Sequence, residues 1–212
     1  FRRPVKLHEP ATFWTDCALA LWSAGLGGAL ARHAPSPCPE TLGWWIGGFA
    51  TSALAAAAGA VHHGLGHTLP PSANRLCWHL ALLSLVATGL CLIQVAATTA
   101  LIGTVLVLAK FAAWIIAALF AYATLRTGRF STAIWAYGLG QLLVLAAAIY
   151  ARDAHSPDHF VWLAAAVATS ALAAIGQHQR IGLSLCFNHN DLYHVIQFVA
   201  QGLFYLGAAT WR

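Results

Sequence analysis

The chain has 212 residues, of which 59% are hydrophobic and 8% charged, with a formal net charge of +5. A soluble domain carries about 25% charged residues, so this composition excludes an ordinary soluble fold, and its apolar richness excludes a disordered chain. The Lys and Arg residues are spread thinly rather than gathered on one face, which argues against a nucleic-acid partner.

A bilayer-crossing helix needs roughly 20 mostly apolar residues. That ruler predicts spans at about 12–31, 42–63, 75–95, 99–122, 130–151, 159–177 and 190–210. Arg2, Arg3 and Lys6 precede the first, which carries Asp16 near its start. Its end at Ala29-Leu30-Ala31 resembles a signal-peptide cleavage site, but Asp16 and the length of the run favour a retained helix. Pro35, Pro37 and Pro39 break the chain before the second span, which ends on His62 and His63, with His67 beyond the Gly64-Leu65-Gly66 turn. Pro70 and Pro71 precede the third, with Arg75 and His79 near its start. The join to the fourth, around Ala96 to Thr99, is very short, and Lys110 stands mid-span in that helix with no carboxylate expected at its depth. Gly128, then Ser156 and Pro157, then Gly182 mark the remaining breaks, and the seventh span opens with Asn190, Asp191 and His194. The expected architecture is an all-α integral membrane protein, a single seven-transmembrane-helix bundle over residues 1–212.

A cytoplasmic N-terminus puts Arg2, Arg3, Lys6, Arg75, Arg126, Arg129 and Arg180 inside, against Arg32, Arg152 and Arg212 outside. That bias obeys the positive-inside rule and points to an inner membrane of bacterial type. Cys17, Cys38, Cys77, Cys91 and Cys186 do not pair under this topology, so no disulfide framework is expected.

The same topology gathers Asp16, His62, His63, His79, Asp191 and His194 at one end of the bundle. An ionisable residue within a bilayer is costly unless it faces the interior and has a partner, so such a layer predicts a functional site. Asp16 and Asp191 are its candidate acid–base groups; His62, His63, His79, Asp191 and His194 are its candidate metal ligands. His63 and His194 could instead bind a haem or a chlorophyll-type pigment from facing helices. Asn190, His194, Gln197 and Gln201 recur at helical spacing and share one face. Gln197 and Gln201 read there as interhelical hydrogen-bonding groups.

The segments Gly59-Ala60-Val61-His62-His63-Gly64 and Asn190-Asp191-Leu192-Tyr193-His194-Val195 resemble two motifs of the seven-helix superfamily of alkaline ceramidases and adiponectin-receptor-like proteins. Those proteins carry Ser-x-x-x-His in helix two, an Asp near the start of helix three and His-x-x-x-His in helix seven. Three His and a water hold zinc there, and the reaction is hydrolysis of a lipid amide. The resemblance implies a zinc-dependent hydrolase of a lipid amide or ester, with His63 and His194 as ligands and a membrane lipid as substrate. Gly59 stands at the Ser position, Asn74 near the Asp position and Asn190 at the first His. A catalytic zinc takes three protein ligands, so Asp16, His62, His79, His189 or Asp191 must supply the third. The alternative is a non-catalytic subunit of a membrane complex that holds a His-ligated cofactor or serves assembly.

Overall fold

The structure, a computed structural model, describes residues 7–151, 157–184 and 187–210. Its elements are seven helices: α1 (Pro10–Arg32), α2 (Glu40–Leu65), α3 (Pro71–Ala100), α4 (Gly103–Thr127), α5 (Phe130–Tyr150), α6 (Pro157–His178) and α7 (His189–Ala209). By length and composition, the six helices from α2 to α7 can each cross a membrane. α1 carries Thr12, Thr15, Asp16 and Ser23 and falls outside that group, yet it packs along α2 and α7.

Local chemistry sets the ends. Pro10 and Pro71 open α1 and α3, where a missing N–H costs nothing. Gly128 closes α4 in the left-handed region at φ 60°, its N–H bonded to the Thr124 carbonyl. The join between α3 and α4 falls about one turn later than the sequence reading places it. The Thr98 and Thr99 hydroxyls bond back to the carbonyls of Gln94 and Val95 at 2.8 and 2.6 Å, so both threonines stay helical. The turn comes at the extended Leu101 and Ile102, and Gly103 starts α4 at φ 58°.

Successive helices alternate in direction. Trp78 Nε1 donates to the Gly128 carbonyl at 2.8 Å, joining the start of α3 to the end of α4. Gln177 Nε2 donates to Asn190 Oδ1 at 2.8 Å, joining the end of α6 to the start of α7. Thr41 and Thr98 meet at 2.9 Å at the opposite end. The starts of α1, α3, α5 and α7 and the ends of α2, α4 and α6 therefore share one end of the bundle, the histidine end. Trp45, Phe49, Val144, Leu163 and Phe204 fill the core toward the far end.

α3 runs through the middle of the bundle, with 78% of an 18-residue apolar stretch of it buried, whereas for the like stretch of α4, which lies outside, the share is 11%. Val105, Leu108, Phe111 and Trp114 on α4 are exposed and apolar, as a lipid-facing helix requires. Lys110 pairs with Glu40 at the start of α2, and Trp44 Nε1 donates to the same carboxylate at 3.2 Å. The partner that the sequence leaves missing comes from a neighbouring helix end, which the long Lys side chain reaches by snorkelling.

Close backbone approach sets the crossing of α3 and α5. A Cβ on Gly89 would stand 2.6 Å from the Ala136 carbonyl oxygen, and one on Gly140 would stand 2.7 Å from the Gly89 oxygen. Small residues at such crossings let membrane helices pack through their backbones. Gly89→Ala and Gly140→Ala are each expected to destabilise the bundle by about 1–3 kcal/mol, as overpacking does. Gly138→Ala on the same α5, with open space around it, should change nothing. Thermal unfolding of the purified protein in detergent compares the three.

Candidate functional site

A chamber of about 260 Å³ opens inside the bundle toward the histidine end. Its apolar side comes from Leu19, Trp78, Leu82, Phe130, Tyr137 and Tyr193. Its polar side comes from Asp16, His63, Gln177, Asn190, His194, Gln197 and Gln201. Phe130 meets Tyr193 edge to face at 5.7 Å, which fixes the wall between α5 and α7.

The centre of the polar side is a contact between the first helix and the last. His194 Nε2 lies 3.2 Å from Asp16 Oδ1, with the two side chains 12% and 4% exposed. On the other side of the ring, Nδ1 lies 3.1 Å from Thr15 Oγ1. The Thr15 hydroxyl donates to the carbonyls of Ala11 and Thr12, each at 3.1 Å. With that proton committed, Nδ1–H donates to Thr15, and Nε2 and Asp16 Oδ1 share a single proton. Among the described residues Asp16 Oδ2 has no hydrogen-bond partner; it is buried, and the residue lines the chamber. A carboxylate in so dry a place is costly unless something completes its bonding, so Oδ2 is the acceptor that this site offers.

Gly59 is what lets Asp16 sit there. A Cβ at position 59 would stand 3.1 Å from Oδ2 and 3.3 Å from Oδ1 of Asp16. The aspartate thus takes up the space that a serine side chain would use, which ties the departure at Gly59 to the carboxylate on α1.

Asp191 has a different place from the one the sequence suggests. It is fully buried, but it does not line the chamber. Its Oδ1 accepts from Thr12 Oγ1 at 2.8 Å and its Oδ2 from the Asn188 backbone N–H at 2.7 Å. With Asn188 it forms a capping box at the start of α7. Each oxygen accepts one hydrogen bond that ties α7 to α1 or caps α7, so Asp191 positions the start of α7 against α1.

The other candidates spread out. His63 lines the chamber but gives Nδ1 to Glu9 Oε2 at 3.1 Å. His62 bonds Asn74 Oδ1 at 2.8 Å and stacks on Trp78 at 4.8 Å, outside the chamber. His79 donates from Nδ1 to the Arg75 carbonyl at 2.9 Å on its own helix. Asn190, at the family's first His, accepts from Gln177. Among the described residues no three His, Cys, Asp or Glu side chains converge to hold a metal ion. His194 meets Asp16, and His62 meets His63 edge to face at 5.2 Å, but among the described residues no third donor converges with either pair, so as placed they do not form a three-ligand zinc set. A haem or pigment axial bond to His194 would have to displace Asp16 or Thr15, since both ring nitrogens are engaged.

Farther along α7 the stripe behaves as interhelical glue. Gln141 Nε2 donates to Ser170 Oγ at 2.9 Å, and Ser170 in turn donates to Gln197 Oε1 at 3.0 Å. Gln201 Nε2 donates to Ser52 Oγ at 3.3 Å. Both glutamines also face the chamber, so its polar wall is held in place by α2, α5 and α6.

Residues 11–212 match the family of unknown function DUF6962. The chain belongs to that family. No curated protein and no solved structure matches it. In this DUF6962 protein, sequence reasoning missed Thr15 and Thr12 as partners of α7 and Glu9 as the partner of His63. Thr12, Asp16 and Ser23 fall on one buried face of α1; that spacing was the available signal.

Removing one partner from a buried carboxylate costs about 1–3 kcal/mol. Thr12→Val is therefore expected to lower stability by about that amount, and Thr12→Ser should restore it. Thermal unfolding in detergent reads both.

Proposed function

We propose that this chain is a membrane-embedded hydrolase of a lipid amide or ester, with Asp16 and His194 as its proton-handling pair. One observation carries the reading: the contact of His194 Nε2 with Asp16 Oδ1 at the polar end of an otherwise apolar chamber, with Asp16 Oδ2 left open. An acyl chain would lie against Leu19, Trp78 and Leu82, and its polar junction would meet Asp16 and the amides of Gln177 and Asn190.

In that pose, Asp16 takes a proton from water as the water oxygen bonds to the acyl carbon. His194 Nε2–H holds the other carboxylate oxygen, and Thr15 fixes the ring. The carbon–nitrogen or carbon–oxygen bond of the substrate then breaks, and the same proton passes from Asp16 to the leaving amine or alcohol. The sum is one water consumed and one acid released. General acid–base groups of this kind contribute about 10²–10⁴-fold. Zinc enters this reading through the family resemblance alone, and no step is assigned to it.

The test is an assay of purified protein against a panel of N-acyl and O-acyl lipids, with products read by mass spectrometry. His194→Ala and Asp16→Asn are each expected to lower turnover by about 10²–10⁴-fold, read on samples that still run as a single folded species on gel filtration. Turnover unchanged in both would defeat the assignment. Elemental analysis of the same samples decides the metal: zinc that disappears with His194→Ala brings it into the site, and zinc that persists puts it elsewhere.

The proposal includes seven crossings and a cytoplasmic histidine end, in a bacterial inner membrane. Arg75, Arg126, Arg129 and Arg180 all lie at that end, which supports the orientation. Cys38, exposed at the far end, should react with an impermeant thiol reagent added outside intact cells, while Cys77 should not. The reverse pattern would invert the topology. Cys186, the other cysteine assigned to the inner side, lies outside the described residues.

A further inference from the structure

A second cavity, of about 330 Å³, opens at the histidine end between the start of α1, the end of α2 and the start of α3. His8, Glu9, His62, His67 and Asn74 line it, so this vestibule is polar where the chamber is largely apolar. His63 lines both cavities and is the one described residue they share.

The two adjacent imidazoles are held very differently. His62 is clamped by Asn74 at 2.8 Å and by its stack on Trp78. His63 stands edge-on to Trp78 at 6.2 Å, and its ring hangs on Glu9 Oε2 at 3.1 Å. That Glu9 side chain is 35% exposed, so water competes for the bond. The His8 N–H bonds the Gly64 carbonyl at 3.1 Å, which fixes the vestibule rim to the end of α2.

A reaction that consumes water inside a bundle needs a path for water, because the hydrocarbon around it supplies none. We propose that the histidine-lined vestibule is the aqueous entrance of the chamber and that the His63 ring is its gate. Held on Glu9, the ring closes the wall between the two cavities; turned aside, it joins them. The inference rests on the chamber being the site of the water-consuming step above, and its test reads access rather than turnover.

The reporter is Ala56→Cys in a cysteine-free chain in lipid nanodiscs, because Ala56 lines the chamber about two turns of α2 from His63. The probe is a small cationic methanethiosulfonate, and mass spectrometry reads the rate of modification. That rate scales with the fraction of time the path is open, so His63→Ala is expected to raise it about tenfold. Glu9→Ala should raise it less, and His67→Trp, which fills the vestibule, should lower it. Rates within about twofold of one another in all three variants would overturn the gate. So would modification that occurs only with an uncharged, lipid-soluble maleimide, since the path would then run through the membrane. If His63→Ala does not run as a single species on gel filtration, Glu9→Ala and His67→Trp decide the matter. Faster labelling without hydrolysis of any lipid tested would defeat the proposed reaction and leave the entrance standing. Hydrolysis with labelling insensitive to all three changes would do the opposite.

Discussion

The seam between α1 and α7 is the constraint on which the rest of this structure depends. Three polar contacts cross it within little more than one turn of each helix: Thr12 with Asp191, Thr15 with His194, and Asp16 with His194. Each sets two groups that are costly in hydrocarbon against each other, so the partners must meet or the bundle bears the desolvation of both. The register this imposes is tight. Sliding α7 by one residue would turn its carboxylate and imidazole about 100° away from α1. The chamber inherits its polar end from that register, because His194 cannot face it unless Asp191 is seated on Thr12.

Much of the architecture was legible in the sequence, because span length and turn residues are local properties. Six apolar helices and their breaks follow from runs of about 20 residues and from Pro and Gly between them. The α3–α4 join was misplaced because Thr98 and Thr99 look like turn residues by composition but bond back into their own helix. The partner of Lys110 was missed for a related reason. Glu40 belongs to another helix, and depth in the membrane cannot be read along one segment.

The site was legible at the level of faces and not of pairs. The α7 stripe and the layer of histidines follow from periodicity, and the chamber does lie where they point. Which carboxylate serves which purpose depends on what stands opposite. Asp191 and His194 share a helix face in sequence, yet the capping geometry at Asn188 draws Asp191 away, and Asp16 arrives from α1 in its stead. The glycine at position 59 leaves the space that Asp16 occupies.

The seam joins α1 to α7, which leaves the ribosome much later. Thr15 and His194 are 179 residues apart, which at about 5–20 residues per second separates their emergence from the ribosome by roughly 10 to 35 s. For that interval Asp16 and Thr12 have no α7 to bond. An aspartate costs at most about 2.5–3.5 kcal/mol on insertion, the figure for a helix centre, and Asp16, nearer the helix start, bears part of that cost until α7 pairs with it. The seam therefore closes only once α7 is made, and a chain that stops before α7 carries a carboxylate on α1 without its imidazole partner.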